Sequence, residues 1–228
     1  MHDLVKKAVD EKRKTLTVFE SKEILKDYKL PINETILVSS EEEIKEKAKS
    51  LQYPLVMKIV SPQIVHKTDV GGVVLNLKNL EDTLKAYREM LERIAKKKPE
   101  AEITGVVLER QLKAGLELIV GTMDDPVFGQ TMIFGLGGIM VEVLKDVSFR
   151  LIPLEKEEAK VMLNEIKAAM ILDGIRGGKP VNREKLIDAM MKLSKFVEDH
   201  PMVAEIDLNP IIAFDDDIAI PDARIILK

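Results

Sequence analysis

The chain has 228 residues, 46% hydrophobic and 32% charged, which supports a buried core in one domain or two small lobes and excludes a disordered tail. A formal charge of −4, 4% aromatic residues and no tryptophan exclude a nucleic-acid footprint, which needs a basic face and stacking side chains. The absence of cysteine excludes disulfides, thiolate metal sites and cysteine nucleophiles. No apolar run approaches the roughly 20 residues that cross a bilayer, and the first residues lack a signal-peptide core, so the cytoplasm is the expected compartment.

Taken in order, residues 20–31 (ESKEILKDYKLP) place Ile24, Leu25 and Tyr28 at helical spacing before Pro31. Residues 34–39 (ETILVS) read as a short strand, and Ser40 with Glu43 has the spacing of a capping box that opens a helix. YPLVMKIV (53–60) and GVVLNL (72–77) read as strands flanking the loop SPQIVHKTDVGG, and Asn79 caps a long helix over 80–98. ITGVVLERQL and LELIVGTM read as neighbouring strands joined by a turn at 113–115. Glycine-punctuated strands follow, then helices over 155–166 and 183–199 on either side of the glycine-rich 173–182. MVAEIDLNPIIAF, an acidic turn at 215–217 and PDARIIL close the chain. The pattern is α/β in two lobes: an N-terminal extension (1–16), a first lobe (17–110) and a second (111–228), hinged near 109–112.

Two common phosphate cradles are absent. GIRGGKP has the Gly-Lys of a P-loop but proline where Ser or Thr belongs, and GLGGIM lacks the last glycine of the dinucleotide fingerprint. A third arrangement fits better: a lysine within a strand, an acidic hinge and a late Asp-x-Asn-Pro, able to clamp ATP between two lobes. Lys58 in VMKIV is expensive on a buried strand unless its ammonium reaches a partner, and unremarkable on an edge strand. In AEIDLNP, Glu205, Asp207 and Asn209 alternate and so share one face. They suit either a solvent-facing strand or Mg2+, a hard cation held by a few protein oxygens and substrate phosphates. Asp222 sits on an adjacent strand if the acidic turn closes a hairpin, and so completes the same site.

These stretches together resemble the ATP-grasp fold and, within it, the beta subunits of ADP-forming acetyl-CoA synthetases (ADP-forming acetate–CoA ligases). The resemblance rests on ESKEILKDYKLP, YPLVMKIVSPQIVHKTDVGGVVLNL, FGLGGIMVEVLKDVSFRLIPL and AEIDLNPIIAFDDDIAIPDARIIL, which span most of the chain from about Thr17. It implies ATP or ADP with Mg2+ as the bound groups. Lys58 would contact the nucleotide phosphates, and the segment Glu109, Arg110, Gln111 and Leu112 would receive adenine through backbone groups. Glu117 would lie near the sugar or phosphates, Asn209 and Asp222 would ligate Mg2+, and Asp207 holds the acidic position of the same motif. Gly135, Gly137 and Gly138 match a glycine loop followed by Arg150, which leaves phosphate contact and turn geometry both open.

The resemblance also gives the loop over 61–72 a task. In this family an alpha subunit forms an acyl phosphate, its histidine takes the phosphoryl group, and the beta subunit passes it to ADP. His66 stands where a transit histidine is expected. Imidazole is a competent nucleophile near neutral pH, and Asp69 is the local carboxylate to fix its tautomer. A His66 that only positions phosphate by hydrogen bonding is the other reading. His2 is terminal and His200 precedes Pro201 at a helix end, so neither rivals it. The chain shows no CoA-binding domain, so an alpha subunit is the expected partner in a hetero-oligomer. A stand-alone carboxylate–amine ligase and a non-catalytic nucleotide-binding regulatory subunit are the alternatives.

Overall fold

The computed structural model describes residues 2–64, 66–138, 146–174, 179–214 and 216–228. Packing divides the chain into two units, Asn33–Gln111 and Met1–Ile32 with Leu112–Lys228. The chain opens with α1 (Asp3–Asp10), capped by the His2 imidazole, and α2 (Val18–Asp27). Thr17 and Glu20 close a reciprocal capping box at the start of α2, satisfying two otherwise orphaned N–H groups.

The unit Asn33–Gln111 is a four-stranded antiparallel sheet with two helices on one face. Its elements are β1 (Thr35–Val38), α3 (Glu41–Lys47), β2 (Leu55–Val60), β3 (Val73–Leu77), α4 (Leu80–Lys97) and β4 (Gly105–Arg110), and the strand order is β1-β4-β2-β3. Period-2 alternation sends Leu55, Met57 and Ile59 into the core formed with Ile44, Met90, Ile94, Val106 and Leu108. Val56, Lys58 and Val60 therefore point to the other face. The expected caps are present: the Ser40 hydroxyl accepts from the Glu43 N–H, and the Asn79 side chain accepts from the Asp82 N–H.

The other unit carries β5 (Leu116–Asp125), β6 (Gly129–Leu136), β7 (Val147–Leu151), α5 (Lys156–Glu165), α6 (Arg183–Asp199), β8 (Val203–Phe214), β9 (Asp217–Ala219) and β10 (Arg224–Leu227). Its sheet runs β10-β8-β5-β6-β7, with β9 also paired to β8. One face packs Leu118, Val120, Met132, Phe134, Ile206 and Leu208 against apolar residues of α1, α2, α5 and α6. Among the described residues no helix is long and apolar enough to cross a membrane.

Two expectations change. ITGVVLERQL and LELIVGTM are not neighbours: β4 pairs with β1 and β2, whereas β5 pairs with β6 and β8 in the other sheet. Residues 1–32 also form neither an extension nor part of a first lobe. Thr15 bridges Ile226, the Leu16 N–H donates to the Ile225 carbonyl, and Ile24 and Leu25 are buried in the larger core. These contacts cover the free edge of β10, where unpaired backbone groups would otherwise be exposed.

Candidate functional site

Lys58 lies on β2, an interior strand hydrogen-bonded to both β3 and β4, so the edge-strand reading of this lysine does not hold. Its side chain is 9% exposed and its ammonium stands 3.0 Å from Oε1 of Glu109, whose side chain is 1% exposed. In the β2–β4 register Val56 faces Glu109 and Lys58 faces Val107, so the ion pair is the diagonal contact of adjacent rows. The second Glu109 oxygen accepts from Asn33 Nδ2 at 2.9 Å. A buried lysine is thus held by a buried carboxylate on the face opposite the helices.

The segment expected to meet adenine is partly committed elsewhere. Glu109 is paired within the sheet to Thr35 on one side and Val56 on the other, so the group it presents is its carboxylate rather than its backbone. The Gln111 N–H donates to the Pro54 carbonyl at 2.9 Å, and its side-chain oxygen accepts from the Asn76 N–H at 2.7 Å. Leu112 begins the other unit.

His66 is exposed on the loop that leaves β2. The loop's far end is firmly held. The Gly72 N–H donates to the Lys67 carbonyl at 2.7 Å, the Ile59 N–H donates to the Gly72 carbonyl at 2.8 Å, and Arg93 of α4 donates to the Gly71 carbonyl at 2.6 Å. The imidazole is exposed to solvent just before this anchored end. Among the described residues no hydrogen bond joins His66 to Asp69, whose carbonyl accepts from Lys97, so the expected tautomer-setting contact is not made. The other two histidines have structural work: His2 caps α1 and bonds Asp27, and buried His200 bonds the Phe196 carbonyl and stacks on that ring.

On the larger sheet, Glu205, Asp207 and Asn209 share the face opposite the core, as their alternation with buried Ile206 and Leu208 requires. Arg224 of β10 pairs in register with Asp207, which puts Asp222 across from Asn209 when the antiparallel register is continued by two residues. The expected hairpin exists, but it joins β8 to β9; Asp222 follows in the crossover to β10. Arg224 Nη2 lies 2.7 Å from Glu205 Oε1 and 3.6 Å from Asp207 Oδ2. Burial above all pushes the Asp207 carboxyl up; Arg224 opposes this, while Glu205 and Asp222 add to it. Period 2 from Asp222 places Arg224 on the same face, a signal present in the sequence.

Glu117 is exposed near the start of β5, and its carbonyl accepts from the Gly137 N–H at 2.7 Å. Gly138 has φ +64, and a Cβ there would lie 2.7 Å from Glu117 Oε2. These two glycines therefore let a loop fold over Glu117, while Gly135 permits close approach to the Asp146 carbonyl on the way into β7. The rest of that glycine-rich stretch, from Ile139 on, lies outside the described residues. Arg150 is engaged with Glu165 at 2.7 Å and with the Phe149 carbonyl, so its position is explained by α5 packing.

The donor set suits Mg2+ of the kind shared with phosphates. Among the described residues no three His, Cys, Asp or Glu side chains form a metal cage. The acidic face instead offers hard oxygens from Asp207, Asn209 and Asp222, with Asp207 raised first by its burial and only then by the nearby charges of Glu205 and Asp222. Mg2+ usually takes one or two carboxylates and completes its shell with water and substrate phosphate.

Comparison with known proteins agrees with this architecture. The ATP-grasp domain family matches residues 7–227. The beta subunit of ADP-forming acetate–CoA ligase I from Pyrococcus furiosus is 48% identical over 225 residues, covering 99% of this chain and 97% of that one. The chain belongs to the ATP-grasp family of ADP-forming acetate–CoA ligase beta subunits. A longer ADP-forming acetate–CoA ligase I from Archaeoglobus fulgidus is 43% identical over 90% of this chain, which corresponds to 30% of its own length. Two solved structures of acetyl-coenzyme A synthetase 1 from Ca. Korarchaeum cryptofilum superpose end to end, each covering 99% of both chains. One, in complex with coenzyme A, Ca-AMPCP and HgCl+, has a TM-score of 0.96 at 44% identity. The other, with coenzyme A and Mg-AMPPCP and its phosphohistidine segment pointing towards the nucleotide binding site, has 0.88 at 41%. ATP-grasp membership, an architecture of helices packed on antiparallel sheets and ligase-family kinship are thus established.

Proposed function

We propose that this chain is the nucleotide-binding subunit of an ADP-forming acyl-CoA synthetase, acting with a separate alpha subunit in the overall reaction acyl-CoA + ADP + phosphate ⇌ acid + ATP + CoA. The observation that carries this reading is the end-to-end correspondence to a free-standing beta subunit. The corresponding segment forms only 30% of the longer Archaeoglobus ligase, which supports a partner that supplies the remainder. That partner would carry the CoA site and a phosphorylatable histidine, and a cysteine-free, charge-rich chain suits a cytoplasmic assembly.

In this proposal the partner forms an acyl phosphate from acyl-CoA and phosphate, releasing CoA, and its histidine takes the phosphoryl group, releasing the acid. A nitrogen of His66 then attacks that phosphorus; the new P–N bond forms as the partner's breaks. An ADP β-phosphate oxygen attacks in turn, forming ATP and returning His66 to neutral imidazole. The exposed position of His66, just before the anchored end of its loop, supports this role. Lys58, oriented by Glu109, contacts the nucleotide phosphates. Gln111 and Leu112 border the adenine, and Glu117 under its glycine loop lies near the sugar or phosphates. Asp207, Asn209 and Asp222 hold Mg2+, which neutralises phosphate charge when bound. Reconstitution with an alpha subunit tests the whole reading: ATP must form from acyl-CoA, ADP and phosphate only when both chains are present. ATP-dependent ligation of a carboxylate to an amine by this chain alone would replace it.

A further inference from the structure

Lys22 of α2 is fully buried, one of the largest side chains in the molecule to be so. It shares the inward stripe with Val18 and Leu25, four residues before and three after it, where a leucine or methionine would pack without desolvating a charge. An ammonium at such a position is costly unless it is held in place for a reason. Its Nζ donates to the carbonyl of Pro221 at 3.2 Å, one residue before Asp222.

Residues 220–223 cross from β9 to β10 outside any regular strand ladder. Backbone contact fixes the start of this crossover: the Ile220 N–H donates to the Pro31 carbonyl at 2.9 Å, and Ile220 bridges Ile32. At its end, Arg224 enters the pairing with β8. Between these anchors Lys22 is a side-chain tether on the peptide that carries Asp222, while the Asp222 carboxylate itself accepts from the Ala223 N–H at 3.1 Å.

From this geometry we infer that Lys22 is a positioning residue for Asp222: it pins the Pro221 carbonyl and thereby orients the carboxylate towards the metal. The inference rests on the proposed role of Asp222 in holding Mg2+. Partners that orient a metal ligand typically alter metal affinity by roughly 10- to 100-fold when removed, and Lys22→Met is expected to do the same.

The test is Mn2+ titration of the ADP-saturated full chain by electron paramagnetic resonance, alongside metal-free ADP affinity and thermal unfolding. Lys22→Met should lose Mn2+ affinity while keeping ADP affinity, with a cooperative unfolding transition that shows the variant to be folded. Lys22→Arg, which keeps a cationic donor, should bind Mn2+ better than Lys22→Met despite its bulk. A packing role predicts the reverse order. Asp222→Asn should lose Mn2+ affinity, and adding Lys22→Met to it should cost little more. Wild-type Mn2+ affinity in Lys22→Met, with Asp222→Asn impaired, overturns the tether and leaves the metal site standing. Wild-type Mn2+ affinity in Asp222→Asn overturns the metal site and the tether together.

Discussion

The buried pair Lys58–Glu109 allows a sharp energetic prediction. With side chains 9% and 1% exposed and 3.0 Å between charged atoms, removing either partner takes an opposite charge away from a group in a poorly solvated place. Such single removals cost about 3–5 kcal/mol, whereas replacing both partners by apolar residues is often neutral or stabilising. The structure makes the two singles unequal. After Lys58→Met, the Glu109 carboxylate still accepts from Asn33, which puts the cost near the lower end, about 3 kcal/mol. After Glu109→Leu, the ammonium loses this carboxylate and Asn33 loses an acceptor, which puts the cost near the upper end, about 5 kcal/mol. Lys58→Met/Glu109→Leu should regain most of this loss. Urea unfolding of the four chains at one pH gives the cycle. Calorimetric titration should then show the stable double variant binding ADP roughly 10- to 150-fold more weakly, from a lost charge-assisted contact of about 1.5–3 kcal/mol. Singles within about 1 kcal/mol of wild type, or a double variant as unstable as the singles summed, would refute the reasoning.

Other outcomes are equally specific. The Glu43 carboxyl is held down from 4.5 to about 2 by the Ser39 N–H first, then by Lys47 and the Ser39 hydroxyl. Because the folded value is depressed, its stabilising contribution is complete above 4.5 and drains away as the pH falls to about 2; a side-chain NMR titration with a midpoint near 4.5 would contradict this. Gly72→Ala would bring a Cβ 2.4 Å from Ile59 Cγ2 and 3.0 Å from the Lys67 carbonyl, so chemical unfolding should show a loss of about 1–3 kcal/mol, and wild-type stability would show that the loop yields. Asn209 is exposed, so Asn209→Ala should keep the thermal midpoint while the Mg2+ concentration needed for half-maximal phosphoryl transfer rises; unchanged Mg2+ dependence would remove it from the metal site.

What the sequence revealed follows the range of the physics involved. Local signals served well: the caps at Ser40 and Asn79, the helices over 155–166 and 183–199, and the shared face of Glu205, Asp207 and Asn209 all depend on neighbours within a few residues. The Ser40 box formed only in part, because the Glu43 carboxylate reaches back to the Ser39 N–H rather than that of Ser40. Two readable signals were overlooked. Thr17 with Glu20 is a capping box, and a lysine at position 22 interrupts an apolar stripe. Pairing partners were not legible, since which sheet claims a strand depends on distant residues. Thus β4 and β5 were placed side by side, and Lys58 read as well on an edge as in the interior. Where residues 1–32 pack is not legible for the same reason: their packing partner, β10, lies at the far end of the chain.

The most direct test of the account is the covalent state of His66 during turnover. With the alpha subunit, acyl-CoA and radiolabelled phosphate, but no ADP, the wild-type chain should acquire acid-labile, base-stable label that maps by mass spectrometry to His66 and passes into ATP when ADP is added. His66→Asn, whose amide can hydrogen-bond phosphate but cannot carry it, should leave label on the partner and lower ATP synthesis by orders of magnitude. An unlabelled wild-type chain together with near-normal ATP synthesis by His66→Asn would contradict the account and leave His66 as a residue that only positions phosphate.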